Sequence, residues 1–191
     1  MKFFYIIIFL ICTQTSIAQS ISQIVLDRES SFQITGTSNI NQFKCKIKQG
    51  FHEGKMAIWS RIEGDKISFK NTSVTINVNQ IECANNHITS DLREALKEEE
   101  YPTISLELLS ISGHYTLEKD VAKTLITMAG KSKIYNLDYD VKFLNDKSLQ
   151  IRLKANIQLQ DFDITPPTAL MGLIKVNDTI TIDLNFVITL I

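Results

Sequence analysis

The sequence predicts an all-β fold, an antiparallel β-barrel of about eight or more strands with one short helix. Three observations carry this. Apolar and polar residues alternate with period two along most of the chain, the pattern of a sheet with one dry face and one wet face. Isoleucine occurs 28 times in 191 residues, and this β-branched residue packs well on a pleated surface while losing rotamer freedom in a helix. Only one stretch, Ser90 to Glu98, places apolar residues at helical spacing.

Composition narrows the function before any motif is read. Hydrophobic residues make up 44% and charged residues 21%, which excludes a disordered chain. The formal net charge of −1 leaves no basic footprint for nucleic acid and no strongly basic face for anionic membranes. With 7 Gly and 3 Pro, collagen-like and low-complexity architectures are excluded as well.

The chain opens on a secretory signal peptide, residues 1–18. Lys2 is its positive start, Phe3 to Cys12 its apolar run, and Ser16-Ile17-Ala18 places small residues before a cleavage site at Gln19. The apolar run is too short to span a bilayer, and nothing downstream is long enough, so no integral span is expected after its removal. An uncleaved N-terminal anchor is the alternative. Residues 19–191 form a single domain, without linker, charge block or solenoid repeat.

Strands are expected in order at Phe32/Ile34, Phe43/Cys45/Ile47, Met56/Ile58, Ile67/Phe69 and Val74/Ile76/Val78. The helix follows, with Leu92, Ala95 and Leu96 on one face, Ser90 as N-cap and Pro102 barring extension. It plugs one end of the β structure. Further strands run through Ile104/Leu106/Leu108 and Thr124/Ile126/Met128. The clearest alternation then sets Tyr135, Leu137, Tyr139, Val141 and Phe143 inward. Asn145-Asp146-Lys147 turns the chain into a second long run, with Leu149, Ile151, Leu153, Ala155, Ile157 and Leu159 on its apolar face. Pro166-Pro167 leaves the sheet, and the Thr165–Gly172 loop, with Leu170 and Met171, is expected to cap a barrel end. Ile180, Ile182, Leu184, Phe186, Ile188 and Leu190 form the last apolar face. Nine or ten strands with long apolar faces favour closure into a barrel, which protects the edges.

Cys45 and Cys83 remain after signal removal. An oxidising compartment favours one disulfide closing a 38-residue loop, worth about 3–4 kcal/mol by chain entropy; a pair of buried free thiols is the alternative. His52, His87 and His114 show no ligand spacing with either cysteine, so no metal and no cofactor is expected. No Gly-x-Ser-x-Gly elbow occurs, and Asp161-x-Asp163 beside Phe162 reads as a loop rather than a shared-proton pair. The chain is read as a non-enzyme.

Four segments resemble one family. Phe32-Gln33-Ile34-Thr35-Gly36-Thr37-Ser38-Asn39-Ile40-Asn41-Gln42-Phe43 is similar to an opening strand and its "TSN(V/I)-x-x-F" turn. Asp91 to Leu96 with Tyr101-Pro102-Thr103-Ile104 resembles a helix followed by "yP-x-I". Thr127-Met128-Ala129-Gly130-Lys131-Ser132-Lys133 is similar to an "LT-(I)-x-G-x-(T/S)-(K/R)" strand, and Asp161-Phe162-Asp163-Ile164-Thr165-Pro166-Pro167-Thr168-Ala169-Leu170-Met171-Gly172 with Lys175-Val176-Asn177-Asp178 to a "DF-x-I-x-PP" segment. Together they resemble the YceI family, exported lipocalin-like barrels associated with polyisoprenoid lipids. Where that family often carries histidines, this chain has Asn41 and Lys131-Ser132.

The resemblance implies a periplasmic or secreted protein of the bacterial envelope that sequesters or carries an apolar, polyisoprenoid-like lipid in the barrel interior. The expected cavity wall is Tyr135, Leu137, Tyr139, Val141 and Phe143 with Ile151, Leu153, Ile182, Leu184 and Phe186. Leu170 and Met171 are expected to cover its open end. The alternative is a non-catalytic envelope interaction or stress-related module whose side chains pack against one another and leave no cavity. Pairing of two barrels as a homodimer is open.

Overall fold

A computed structural model describes residues 19–51, 54–112, 120–169, 171 and 173–191. The expected signal peptide with Cys12, His52, His114 and Leu170 lie outside the described residues. In chain order the strands are β1 (Gln19–Leu26), β2 (Ser31–Thr37), β3 (Gln42–Ile47), β4 (Gly54–Glu63), β5 (Lys66–Lys70), β6 (Val74–Asn77) and β7 (Ile81–Cys83). Helix α1 (Asn86–Ala95) follows. Then come β8 (Thr103–Ser112), β9 (Asp120–Met128), β10 (Lys131–Phe143), β11 (Ser148–Gln158), β12 (Thr168–Ala169), β13 (Ile174–Lys175) and β14 (Thr179–Leu190).

Eight of them close an antiparallel ring, β1-β4-β5-β8-β9-β10-β11-β14, with β14 pairing back onto β1. Eight strands enclose an interior just wide enough to be filled by side chains or to hold one small ligand. Two strands divide an edge between different neighbours. β14 pairs with β1 through Ile188–Leu190 and with β2 through Thr181–Asn185. β8 pairs with β5 through Ser110–Ser112 and with β6 through Thr103–Leu106. The barrel therefore has two ends of different construction. β1, β4 and β5 wall the mouth, while β2, β3, β7 and β6 wall the base.

The chain passes from mouth wall to base wall at the turn after β1. Asp27 Oδ1 accepts from Glu29 N at 2.8 Å, an Asx turn that aims Ser30 inward. Ser30 is buried between the two walls, against the backbone of Val187.

A close-packed layer lies across the middle of the barrel. Phe32, Ile104, Ile126, Leu137, Ile157 and Ile182 are all fully or almost fully buried there. Below it the turn Leu159–Phe162 and Ile164 plug the base, with Tyr135 stacked on Phe162. The β9–β10 hairpin turns at Ala129 (φ 46°) and Gly130 (φ 76°), left-handed at both central positions, the geometry of a type I′ turn.

Helix α1 begins four residues before the expected Ser90 cap. Asn85, extended at φ −149°, accepts from Ile88 N at 2.9 Å and starts the helix earlier. Ile88, Leu92 and Ala95 face the core at the base, so the expected end plug holds. Cys45 and Cys83 stand directly opposite in the β3–β7 ladder and form a disulfide that ties α1's leading strand to the barrel.

Candidate functional site

The site is built from the inward faces of the mouth. Period-two alternation sends Leu137, Tyr139 and Val141 of β10 inward, while Asn136, Asp138 and Asp140 face away. The adjoining strands repeat this with Leu149, Ile151 and Leu153 of β11 and Leu184, Phe186 and Ile188 of β14. Across the barrel Ile24 and Leu26 of β1, Met56 and Ile58 of β4, Phe69 of β5 and Leu106 and Leu108 of β8 complete the wall. These side chains do not meet, and they enclose a cavity of about 300 Å³. Ser22, Ser60, Thr72, Thr124 and Tyr139 supply its few polar groups. A concave, largely apolar volume with a handful of polar groups is the usual make-up of a small-molecule site, and this size stands at the low end of that class. Below, the cavity ends on the packed middle layer.

Of the expected wall residues, Leu137, Tyr139, Val141, Ile151, Leu153, Leu184 and Phe186 line this cavity together. The others are elsewhere. Ile182 is buried in the middle layer, one inward position below Leu184. Phe143 ends β10 at the rim and is 56% exposed, because the strand outruns the barrel there. Tyr135 lies at the base, donating to Asp161 Oδ2 at 2.5 Å and accepting from Gln158 N at 3.1 Å. Burial, and then the Asp161 carboxylate, push its phenol up to about 12.

Met171 is fully exposed. The expectation that the Thr165–Gly172 loop covers the cavity's open end is corrected by topology. That loop joins the end of β11 to the start of β14, whereas the cavity lies at the start of β11 and the end of β14. The loop belongs to the base. There Pro167, Thr168, Ile174 and Val176 flank a second, separate crevice of about 610 Å³ between α1 and the β2–β3 turn. Asn39 stitches the loop to that turn, donating to Leu173 O at 2.8 Å and accepting from Lys175 N at 2.9 Å.

Sequence reasoning missed the opposite wall. Met56, Ile58 and Phe69 sit in alternating runs, which was a usable signal, but Ile24 and Leu26 lie in a strand whose outward positions Ile21 and Val25 are also apolar, which hides the period. Among the described residues no group of three or more His, Cys, Asp or Glu is placed to hold a metal ion, and no helix is long and apolar enough to cross a membrane.

A closed antiparallel barrel with a plugged base and an apolar cavity at its mouth defines a lipocalin-like architecture. Residues 16–188 match the YceI-like domain, and the chain belongs to that family. Among solved structures it is similar to a polyisoprenoid binding domain from Saccharophagus degradans implicated in plant cell wall breakdown, at 9% identity and a TM-score of 0.59, covering 88% of this chain and 98% of that one. It is also similar to Burkholderia cenocepacia BcnA, at 12% identity and a TM-score of 0.57, covering 85% and 98%. At these identities the likeness is one of fold. No curated protein sequence matches the chain.

Proposed function

We propose that this protein is exported by its N-terminal signal, residues 1–18, and binds an apolar lipid of isoprenoid type in the mouth cavity. The observation that carries this reading is the cavity itself: side chains from all eight ring strands point inward, yet leave about 300 Å³ unfilled. Protein interiors normally pack without such voids, and an empty apolar cavity costs stability. A ligand that fills it recovers that cost, at roughly 0.8 kcal/mol for each methylene taken from water. The scarcity of polar groups selects a hydrocarbon chain over a charged or sugar-like ligand. Family membership and the polyisoprenoid-binding description of the Saccharophagus domain support the same class. Val141, Ile151 and Phe186 are assigned to the wall, with Tyr139 as one of its few polar groups; binding, not turnover, is the activity.

The test is mass spectrometry of organic extracts from protein purified from its native envelope, together with titration by added polyprenols. A prenyl lipid in stoichiometric amount supports the reading. Its repeated absence, with no polyprenol binding, contradicts it and favours the envelope module, for which the packed middle layer speaks.

A further inference from the structure

We propose that the rim of the barrel mouth is a docking surface for a phospholipid bilayer, resting on the lipid-binding reading above. The observation is an arc of exposed apolar side chains carried on adjoining strands. Phe143 ends β10 and Leu144 (47% exposed) follows it, while Leu190 ends β14 and Ile191 (58% exposed) follows it. The two ends are joined, since Leu190 N donates to Lys147 O at 2.8 Å in the β10–β11 turn. Ile191 N donates in turn to Gln23 O of β1, and Ile21 of β1 stands opposite Trp59 of β4. Ser22, Ile24, Met56 and Ile58 line the cavity, so Ile21 and Trp59 point outward and carry the arc onto the outside of the barrel. The charged turns at Glu63–Lys66 and Asn145–Lys147 interrupt the arc, but six exposed apolar side chains grouped on adjoining strands beside an apolar cavity mark a contact surface.

Two arguments name the bilayer as occupant. A ligand made of hydrocarbon is barely soluble in water, so its transfer requires the cavity mouth to open against its lipid source. The chain outside the described residues points the same way. β1 starts at the mouth with Gln19, and only residues 13–18 separate it from the apolar run Phe3–Cys12. Six residues reach at most about 20 Å, so until the signal is cleaved the mouth is the end held beside the membrane.

Trp59, the chain's single tryptophan and 37% exposed, reports on this surface alone. The experiment mixes residues 19–191 with phosphatidylcholine vesicles and follows flotation and Trp59 emission. The expected result is co-flotation, with Trp59 emission moving to shorter wavelength and shielded from an aqueous quencher. Leu144→Asp combined with Ile191→Asp, both at exposed ends, should lower vesicle partition by about tenfold or more while leaving uptake of a polyprenol from detergent micelles unchanged. Absence of vesicle binding by the wild type, or equal binding by the double variant, overturns the proposal. So does shielding of Trp59 in concentrated protein without vesicles, with dimer sedimentation, because a second copy then covers the rim. Failure of the lipid-binding reading reads out separately, as no polyprenol uptake from micelles by either protein.

Discussion

The Ser30 hydroxyl oxygen accepts a hydrogen bond from the Val187 backbone N–H at 2.9 Å, joining residues 157 positions apart. Val187 O in turn accepts from Asp27 N at 2.9 Å. This contact satisfies β14 at the place where it leaves β2 and takes up β1, which is where the barrel changes from base to mouth.

Ser30→Ala should therefore destabilise the protein by about 1–3 kcal/mol, the cost of a buried backbone donor left without a partner. Urea unfolding measures it. A loss below about 0.5 kcal/mol would mean that another group serves Val187 N.

Reduction of Cys45–Cys83 should lower stability by about 2–5 kcal/mol and loosen the base before the mouth, since β7 and α1 are tied to β3 through this bond. Thermal unfolding with and without reductant, together with amide exchange of β7 and α1, provides the check. Equal protection in both forms would contradict the assignment.

Gly130 occupies one of the two left-handed positions of the β9–β10 turn, and a Cβ there would meet the Tyr101 ring at 2.5 Å. Gly130→Ala combines backbone strain with this clash and should cost about 1–3 kcal/mol; a stability within 0.5 kcal/mol of wild type would show that Tyr101 swings away freely.

Alkaline pH should act through Tyr135. Its phenol is raised from 10.0 to about 12 in the folded protein, so the stability it contributes is complete below pH 10 and is lost as pH rises through about 12. A Tyr135→Phe variant loses the hydrogen bond to Asp161 and should lack this step. Spectroscopic titration of tyrosinate alongside unfolding checks it, and identical alkaline profiles for the two proteins would refute it.

The barrel was legible in the sequence because strict alternation fixes which face of β10, β11 and β14 is dry. It was not legible in β1, where Ile21 and Val25 face outward as apolar residues, nor at the start of α1, where Asn85 caps the helix five residues before Ser90 becomes available. Seven wall residues could be named because alternation reports direction. It does not report depth along a strand. Tyr135, Ile182 and Phe143 belong to the inward sets of their strands, yet one plugs the base, one packs the middle layer and one overhangs the rim. The position of the Thr165–Gly172 loop depended on which end of β11 carried the cavity, a fact set by the split pairing of β14 and not by any local pattern.

The most direct test of the central claim is polyprenol titration of wild type against Val141→Trp. Val141 lines the cavity and is half-buried, so an indole there should fill the void. The account predicts binding weakened by about tenfold or more, with a stability change under about 1 kcal/mol because the added side chain enters existing space. Unchanged binding, or no binding by either protein together with the roughly 1–3 kcal/mol penalty of an overpacked core, would contradict it.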